Sequence, residues 1–530
     1  MANFHNKSVN AHQFSMIPRA DVPRSRFDRQ TSHKTTFDAG FLIPFFVDEV
    51  LPGDSMTLKL TSFSRLATPI FPIMDNCYLD THFFFVPNRL VWDNWQKFMG
   101  ERRDPEDSID YIIPEIVSKA GGYDPNSIYD YLGLPTAGQM TGSNTVTHSA
   151  LFLRAYNLIW NEWFRDENLQ DSVVTNRGDG PDLYTDYTLL RRGKRHDYFS
   201  SALPWPQKGD SVPLPLGESA PIYTNASFTG VGVGNILSVR DSFGVKHAMD
   251  SSVSHVIGAT ATNPLFADLY ADLSEATSAT INQLRQAFQI QRLLERDARG
   301  GSRYTEILRS HFGVTSPDAR LQRPEYLGGG STPLSVNPVA QTSSTDNVSP
   351  LATLSGIGTF VSRGNGFSQS FVEHGMIIGL CSVRADLNYQ QGMRRMWNRS
   401  TRYDFYFPVF AHLGEQAILN KEIYATGTPT DEDVFGYQER WAEYRYFPSQ
   451  ITGLFRSTSP GTLDGWHLAQ RFTSLPSLNS DFIEDNPPLS RVLAVGSEAN
   501  GAQIISDNFF SIRSVRAMPL YSVPGLIDHF

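Results

Sequence analysis

The sequence predicts a mainly β protein built on a two-layered sandwich, and residues 37–95 carry most of that prediction. Phe41 to Val50 is an apolar run broken by Pro44. Ser55 to Leu66 alternates, with Met56, Leu58 and Leu60 on one face and Thr57, Lys59 and Thr61 on the other. Tyr78 to Val86 is richly aromatic and ends at Pro87. Alternation of this length marks half-buried strands, and Pro52-Gly53-Asp54 is a turn sequence expected to join the first two as a hairpin. Phe83, Phe84 and Phe85 in succession place rings on both faces, so the third strand must be covered on both sides. Strand patterns return at Met376 to Leu387, Tyr403 to Phe410 and Gln503 to Val515. The block 37–86 and the strands after 376 are expected to build one core, because neither alone covers two faces.

A prior of roughly 150 residues per domain allows three or four domains in 530 residues, but a sandwich with long insertions fills the same length as one unit. The chain is 40% hydrophobic and 12% aromatic, ample for a sizeable core. Only 19% of residues are charged, with 32 Pro and 40 Gly. The usual charged share is about 25%, so much of the surface is expected to be irregular and covered by neighbouring subunits. No apolar run reaches the ~18 residues of a membrane span, and the N-terminus lacks a signal-peptide core; neither membrane insertion nor secretion is expected. Cys77 and Cys381 lie in separate strand-like runs and read as buried free thiols in a reducing compartment.

Taken in order, residues 1–36 form a basic arm with little periodicity, expected to be extended or locally disordered. It holds six Lys or Arg against two acids, a net of +4, so a total of −10 leaves −14 for the rest. A basic arm on an acidic body suits nucleic-acid contact, though a solvated terminus has the same composition. Residues 88–210 read as a helix and loop insertion. Asn88 to Gly100 is expected as a short amphipathic helix on Leu90, Trp95 and Phe98, and His148 to Asn168 as a longer one on Leu151, Ala155, Leu158, Ile159 and Trp163. Arg191, Arg192, Lys194 and Arg195 cluster in RRGKR, a candidate either for DNA contact or for ion pairs between subunits. Residues 211–274 are rich in Gly, Ser, Thr and Val and read as an inserted β-rich excursion. Residues 275–327 hold a helical pair: a long helix from Ser274 to the Gly300-Gly301 stop, then a short one capped by Ser302 and ended by Gly313. Residues 328–370 carry two charges only, Asp346 and Arg363, and are expected as an extended arm lying along other protein.

Catalytic patterns are missing. Gly366-Phe367-Ser368-Gln369-Ser370 lacks the second glycine of a nucleophile elbow, and there is no H-E-x-x-H and no cysteine-rich zinc pattern. Gly230, Gly232 and Gly234 lack the lysine of a phosphate loop. Asp431-Glu432-Asp433 could hold a cation or form a solvated turn. His374 beside Glu373, and His412 before Glu415, sit in no recognisable catalytic context. No enzyme and no cofactor are expected. A sandwich glycosidase or lectin would account for the aromatics but needs paired carboxylates in a cleft and usually a secretion signal. A cytosolic nucleic-acid-binding protein would account for the arm but not for a body at −14.

Long strings are more specific. MDNCYLDTHFFFVPNRLVWDNWQKFMGE (Met74 to Glu101), FDAGFLIPFFVDEVLPGD, LLRRGKRHDYFSSALPWPQKG, INQLRQAFQIQRLLERDARGGSRYTEILRSHFGVTSPDARLQRPEYLGG, STRYDFYFPVFAHLGEQAILNKEIY, FGYQERWAEYRYFPSQITG and the terminal YSVPGLIDHF closely resemble the major capsid proteins of gokushoviruses, small single-stranded-DNA phages of the microvirus group. The strings cover most of the chain and leave out residues 211–274. The resemblance implies a single eight-stranded antiparallel jelly roll over 37–530 with long insertions. It also implies a T=1 icosahedral shell of sixty copies gathered as pentamers, closed round a circular single-stranded DNA. Small DNA-binding and minor virion proteins and a bacterial surface receptor are the implied partners, with assembly in the host cytoplasm and residence in the virion. Within that picture, Arg24, Arg26, Arg29 and Lys34 of an interior arm are expected to touch phosphates, with RRGKR a second candidate. Residues 211–274 are expected to form a three-fold protrusion used in host attachment, packed through Phe228, Val231, Ile236 and Val239.

Overall fold

A computed structural model describes residues 23–102, 104–210, 212, 222–224, 237–240, 246–249, 257–260, 267–271, 281–301, 303–314, 322–343, 351–494 and 501–521. Nine strands form the sandwich: β1 Ser25–Phe37, β2 Ile43–Val50, β3 Ser55–Leu66, β4 Cys77–Pro87, β5 Glu325–Pro333, β6 Ser335–Ala340, β7 Leu354–Ser370, β8 Gly375–Ala385 and β9 Ile504–Arg516. One sheet has the order β1-β9-β3-β7-β6 and the other β5-β4-β8-β2, with every pairing antiparallel. As expected, the block 37–86 pairs with the returning strands β8 and β9, and β5 and β7 join it as well. Inward residues of both sheets share one core, including Phe45, Leu58, Leu60, Phe83, Phe85, Phe360, Ile377, Phe510 and Ile512. In β3 and β9 every second residue is buried, the period-two pattern of a sheet covered on one face.

Phe83 and Phe85 enter this core, while Phe84 points the other way into a second one with Val86, Met376, Ile378 and Leu380. That second core lies under residues 88–160, chiefly Trp92, Tyr129, Tyr156 and Trp160. Strand β8 is therefore buried along its whole length. The four-stranded sheet is roofed by the insertion, and the outer face of the five-stranded sheet is left largely open among the described residues, with Asn126 and Asp130 bordering one edge.

Several expectations are corrected. Pro52-Gly53-Asp54 does not close a hairpin, because β2 and β3 belong to different sheets. The buried Asp54 carboxylate accepts the Leu51 N–H at 3.0 Å and pairs with Arg516 at 2.9 Å, turning the chain across the sandwich. Residues 328–370 are not an arm along other protein but supply β5, β6 and β7. Their glycines allow close approach: a Cβ on Gly329 would lie 2.0 Å from the Thr81 carbonyl oxygen, and one on Gly366 2.0 Å from that of Leu58. Residues 25–36 of the basic arm are an edge strand paired along its length with β9. Asn88 to Gly100 holds a 3₁₀ turn and one helical turn, Trp95–Phe98, because Trp92, Trp95 and Phe98 cluster on one another. The helix expected at His148 to Asn168 is α1, Leu151–Ile159, followed by a π turn Trp160–Phe164. Tyr403 to Phe410 is two 3₁₀ turns, not a strand.

Residues 205–316 form a separate compact unit. It contains a five-stranded sheet in the order Ile257–Thr260, Lys246–Met249, Leu237–Arg240, Ala267–Ala271, Ile222–Thr224. It also contains the helical pair α2, Ile281–Gly300, and α3, Tyr304–Phe312, tied by a His311–Asp297 contact of 2.7 Å. Ser302, the expected cap, lies outside the described residues; Glu306 accepts the Arg303 N–H at 3.3 Å, and Gly313 ends α3 in the left-handed region.

Candidate nucleic-acid interface and assembly surface

The cations of β1 lie along one edge of the five-stranded sheet, because β1 is its outermost strand. Arg26 pairs with Asp28 at 2.6 Å, Arg29 with Asp48 at 2.5 Å and Lys34 with Asp507 at 2.6 Å, while Arg24 donates to the Gly53 and Val515 carbonyls. Arg26 and Lys34 remain exposed, and exposed pairs of this kind exchange readily with a phosphate.

RRGKR is drawn inward instead. The Arg191 guanidinium stacks 3.9 Å over Phe41 and donates to the Ala39 and Asp485 carbonyls. Arg192 and Arg384 both reach the same oxygen of Asp80, at 2.7 and 2.8 Å. Lys194 is buried, donates to the Phe482 carbonyl and sits 4.3 Å over the Phe482 ring; its burial pulls its pKa down to about 8. Burial likewise pushes Asp485 up to about 6, against the opposing pull of Arg192, Lys194, Arg384 and Arg191. Desolvation also works against Asp80, yet Ser331, Arg192 and Arg384 hold it below the usual carboxylate range. Three of the four cations thus have partners within this chain, and Arg195 is the exposed one. Because Asp80 and Asp485 are remote in sequence, nothing local signals this pairing.

The other flagged groups have local roles. Asp431 accepts the N–H groups of Thr426 and Gly427, organising a turn. Glu373 pairs with Arg89 at 2.7 Å, and His374 stands edge-on to Trp95. Cys77 and Cys381 are buried and free, and burial raises both thiols. Among the described residues no group of three or more His, Cys, Asp or Glu is placed to hold a metal ion, and no helix is long and apolar enough to cross a membrane. Of the protrusion candidates, Phe228, Val231 and Ile236 lie outside the described residues. Val239 is in the strand Leu237–Arg240, opposite His247.

A second surface, unmarked in the sequence except for its aromatics, lies between residues 393 and 454. Trp397 is 71% exposed and Phe447 81%, with Tyr403, Val409 and Leu454 also open. Arg394 stacks 4.0 Å over Phe447 and Arg399 4.7 Å over Tyr444. They border a cavity of about 560 Å³ lined also by Met396, Trp397 and Tyr446. Rings and guanidinium groups left this open are characteristic of protein contact surfaces.

Known sequences match this chain over nearly its whole length. The pattern of the capsid protein (F protein) family matches residues 15–526. Capsid protein VP1 of Bdellovibrio phage phiMH2K is 50% identical, the alignment covering 98% of this chain and 99% of that protein. VP1 of Chlamydia phage 1 is 44% identical and that of Spiroplasma virus 4 is 37% identical, each over 98% of both chains.

Proposed function

Since the chain belongs to the phage capsid protein (F protein) family, we propose that it is the major subunit of a T=1 icosahedral shell of sixty copies, gathered as pentamers, around a circular single-stranded DNA. Membership of a structural capsid family means that the chain is not an enzyme. The observation carrying the proposal is full-length similarity to phage capsid proteins combined with a particular strand order. The chain passes β1, β3, β7 and β9 through one sheet and β2, β4, β5 and β8 through the other. With β6 as an added edge strand, the orders β1-β9-β3-β7 and β2-β8-β4-β5 support reading the sandwich as an eight-stranded jelly roll. The low charge and the open aromatic surface at 393–454 support contact with neighbouring copies. Expression of the full chain, with its small DNA-binding and minor virion partners, is expected to yield pentamers and closed particles of megadalton size in the host cytoplasm. A small soluble oligomer under all conditions would reject this reading.

Residues 211–274, which lie within the compact unit 205–316, are proposed as the three-fold protrusion that meets a bacterial receptor. The existence of that separate unit supports this, since a unit with its own sheet can be carried outside a shell. Deleting residues 220–265 with a Gly-Ser bridge is expected to leave particles that assemble but adsorb poorly to host cells. Unchanged adsorption would refute the attachment role, and lost assembly would place the segment in the shell itself.

A further inference from the structure

The roofing of one sheet leaves the other with a largely open face whose chemistry is specific. Its outward residues come in rows fixed by the register: Lys34, Asp507, Phe63 and Val361 in one, Ser32, Phe509, Thr61 and Arg363 in the next. Arg65 and Lys59 flank these rows on β3, with Ile505 opposite Arg65 and Ser511 opposite Lys59. Phe63 is 52% exposed and Phe509 42%, on neighbouring strands in diagonal positions. Such positions stand ~7–8 Å apart, within the step of an extended single strand. The sheet itself sets Arg26, Asp28, Lys34, Lys59, Arg65, Arg363, Asp507 and Arg513 on this face, and Asp130 borders a groove with Lys34, Phe63 and Arg65 at its edge: six cations against three carboxylates. Asp28 serves Arg26 and Arg513, and Asp507 serves Lys34. Lys59, Arg65 and Arg363 have no carboxylate within ion-pair distance among the described residues.

We infer that this face is a stacking platform for single-stranded DNA, with bases laid on Phe63 and Phe509 and phosphates taken by Lys59, Arg65 and Arg363. The inference rests on the shell reading and on its interior basic arm, whose residues 25–36 are the edge strand of this sheet. Its surplus positive charge, in a chain of net charge −10, favours a polyanion over a second copy of the same acidic protein. Exposed rings with flanking cations are sequence-tolerant recognition: every base has a π face, and the cations track the backbone. The Ser32 and Thr61 hydroxyls beside Phe509 offer no fixed base-reading pattern, as a shell packaging a whole genome requires.

The test uses the full-length unassembled chain and a labelled 20-nucleotide oligothymidylate, read by fluorescence anisotropy across a salt series. Phe63→Ser with Phe509→Ser is expected to weaken binding roughly tenfold or more, while leaving binding to a duplex of the same length unchanged. Lys59→Gln, Arg65→Gln and Arg363→Gln together should make the salt slope shallower by about 2, from ~0.7 per lost phosphate contact. Thr61→Lys, at the centre of the face, should tighten binding, a gain that no misfolded chain can mimic. Oligonucleotide affinity unchanged in all three variants would overturn the inference. Unchanged affinity with failed particle formation would overturn it too and make the face a copy-to-copy contact. Particle formation by the unaltered chain, scored separately by electron microscopy, tells failure of the shell reading from failure of the platform.

Discussion

Replacing Asp182 by asparagine is expected to destabilise the chain by about 3–5 kcal/mol, the cost of leaving one member of a buried ion pair without its partner. Arg154 on α1 and Asp182 are each 1% exposed at the side chain and meet through two parallel contacts of 2.7 Å. Tyr187 and Asn176 donate to the same carboxylate, and Arg154 also donates to the Val91 and Gly178 carbonyls. The group locks residues 88–92, 150–160 and 176–187 together as the roof over the four-stranded sheet. Burial opposes ionisation of Asp182, but Arg154, Tyr187 and Asn176 outweigh it and hold its pKa below the ordinary value. A depressed carboxylate contributes stability above the unfolded-state value of about 3.9 and loses it as pH falls through the folded value. Urea midpoints of the unassembled chain should therefore drop below about pH 4, and the Asp182→Asn chain should lack that part of the drop. A midpoint equal to the unaltered chain's at pH 7 would refute the locking role.

Phe84→Ala is expected to cost a similar ~3–5 kcal/mol, because its ring is 1% exposed and the site cannot collapse. Trp163 and Tyr326 stand 5.5 Å from it and Phe164 5.9 Å, two rings from the turn after α1 and one from β5. The loss falls in the roof and not between the sheets, so Phe83→Ala, which opens the sandwich core, should add to it nearly independently. Urea unfolding of the two single variants and the double variant measures both. A cost under about 1 kcal/mol for Phe84→Ala would mean that the roof is loosely seated.

The sandwich was legible where burial is one-sided. β3 and β9 alternate because one face meets the core and the other water, and that period survives in the sequence. The three phenylalanines at 83–85 announced a strand covered twice, and it is. Pro52-Gly53-Asp54 announced a turn but not its destination, since the same residues serve a hairpin or a crossing between sheets; the Arg516 partner that decides it lies at the far end of the chain. The glycines and serines of 328–370 read as an extended arm lying along other protein, whereas glycine is needed there for neighbouring strands to approach. RRGKR looked like a surface cluster because Asp80 and Asp485, which neutralise it inside, are distant in sequence. The platform cations were legible in part: Lys59 stood on the polar side of an alternating run, but Arg65, Arg363 and Phe509 join it only through strand pairing. Residues 211–274 carried no period strong enough to define their strands.

The most direct test of the shell account is a cryo-electron reconstruction of particles assembled from the full chain with its co-expressed partners. The expected result is a closed shell of sixty copies, the β1-β9-β3-β7-β6 face lining the interior and residues 211–274 outside at the three-fold axes. A closed shell with that sheet face outermost, or no closed particle at all, would contradict it.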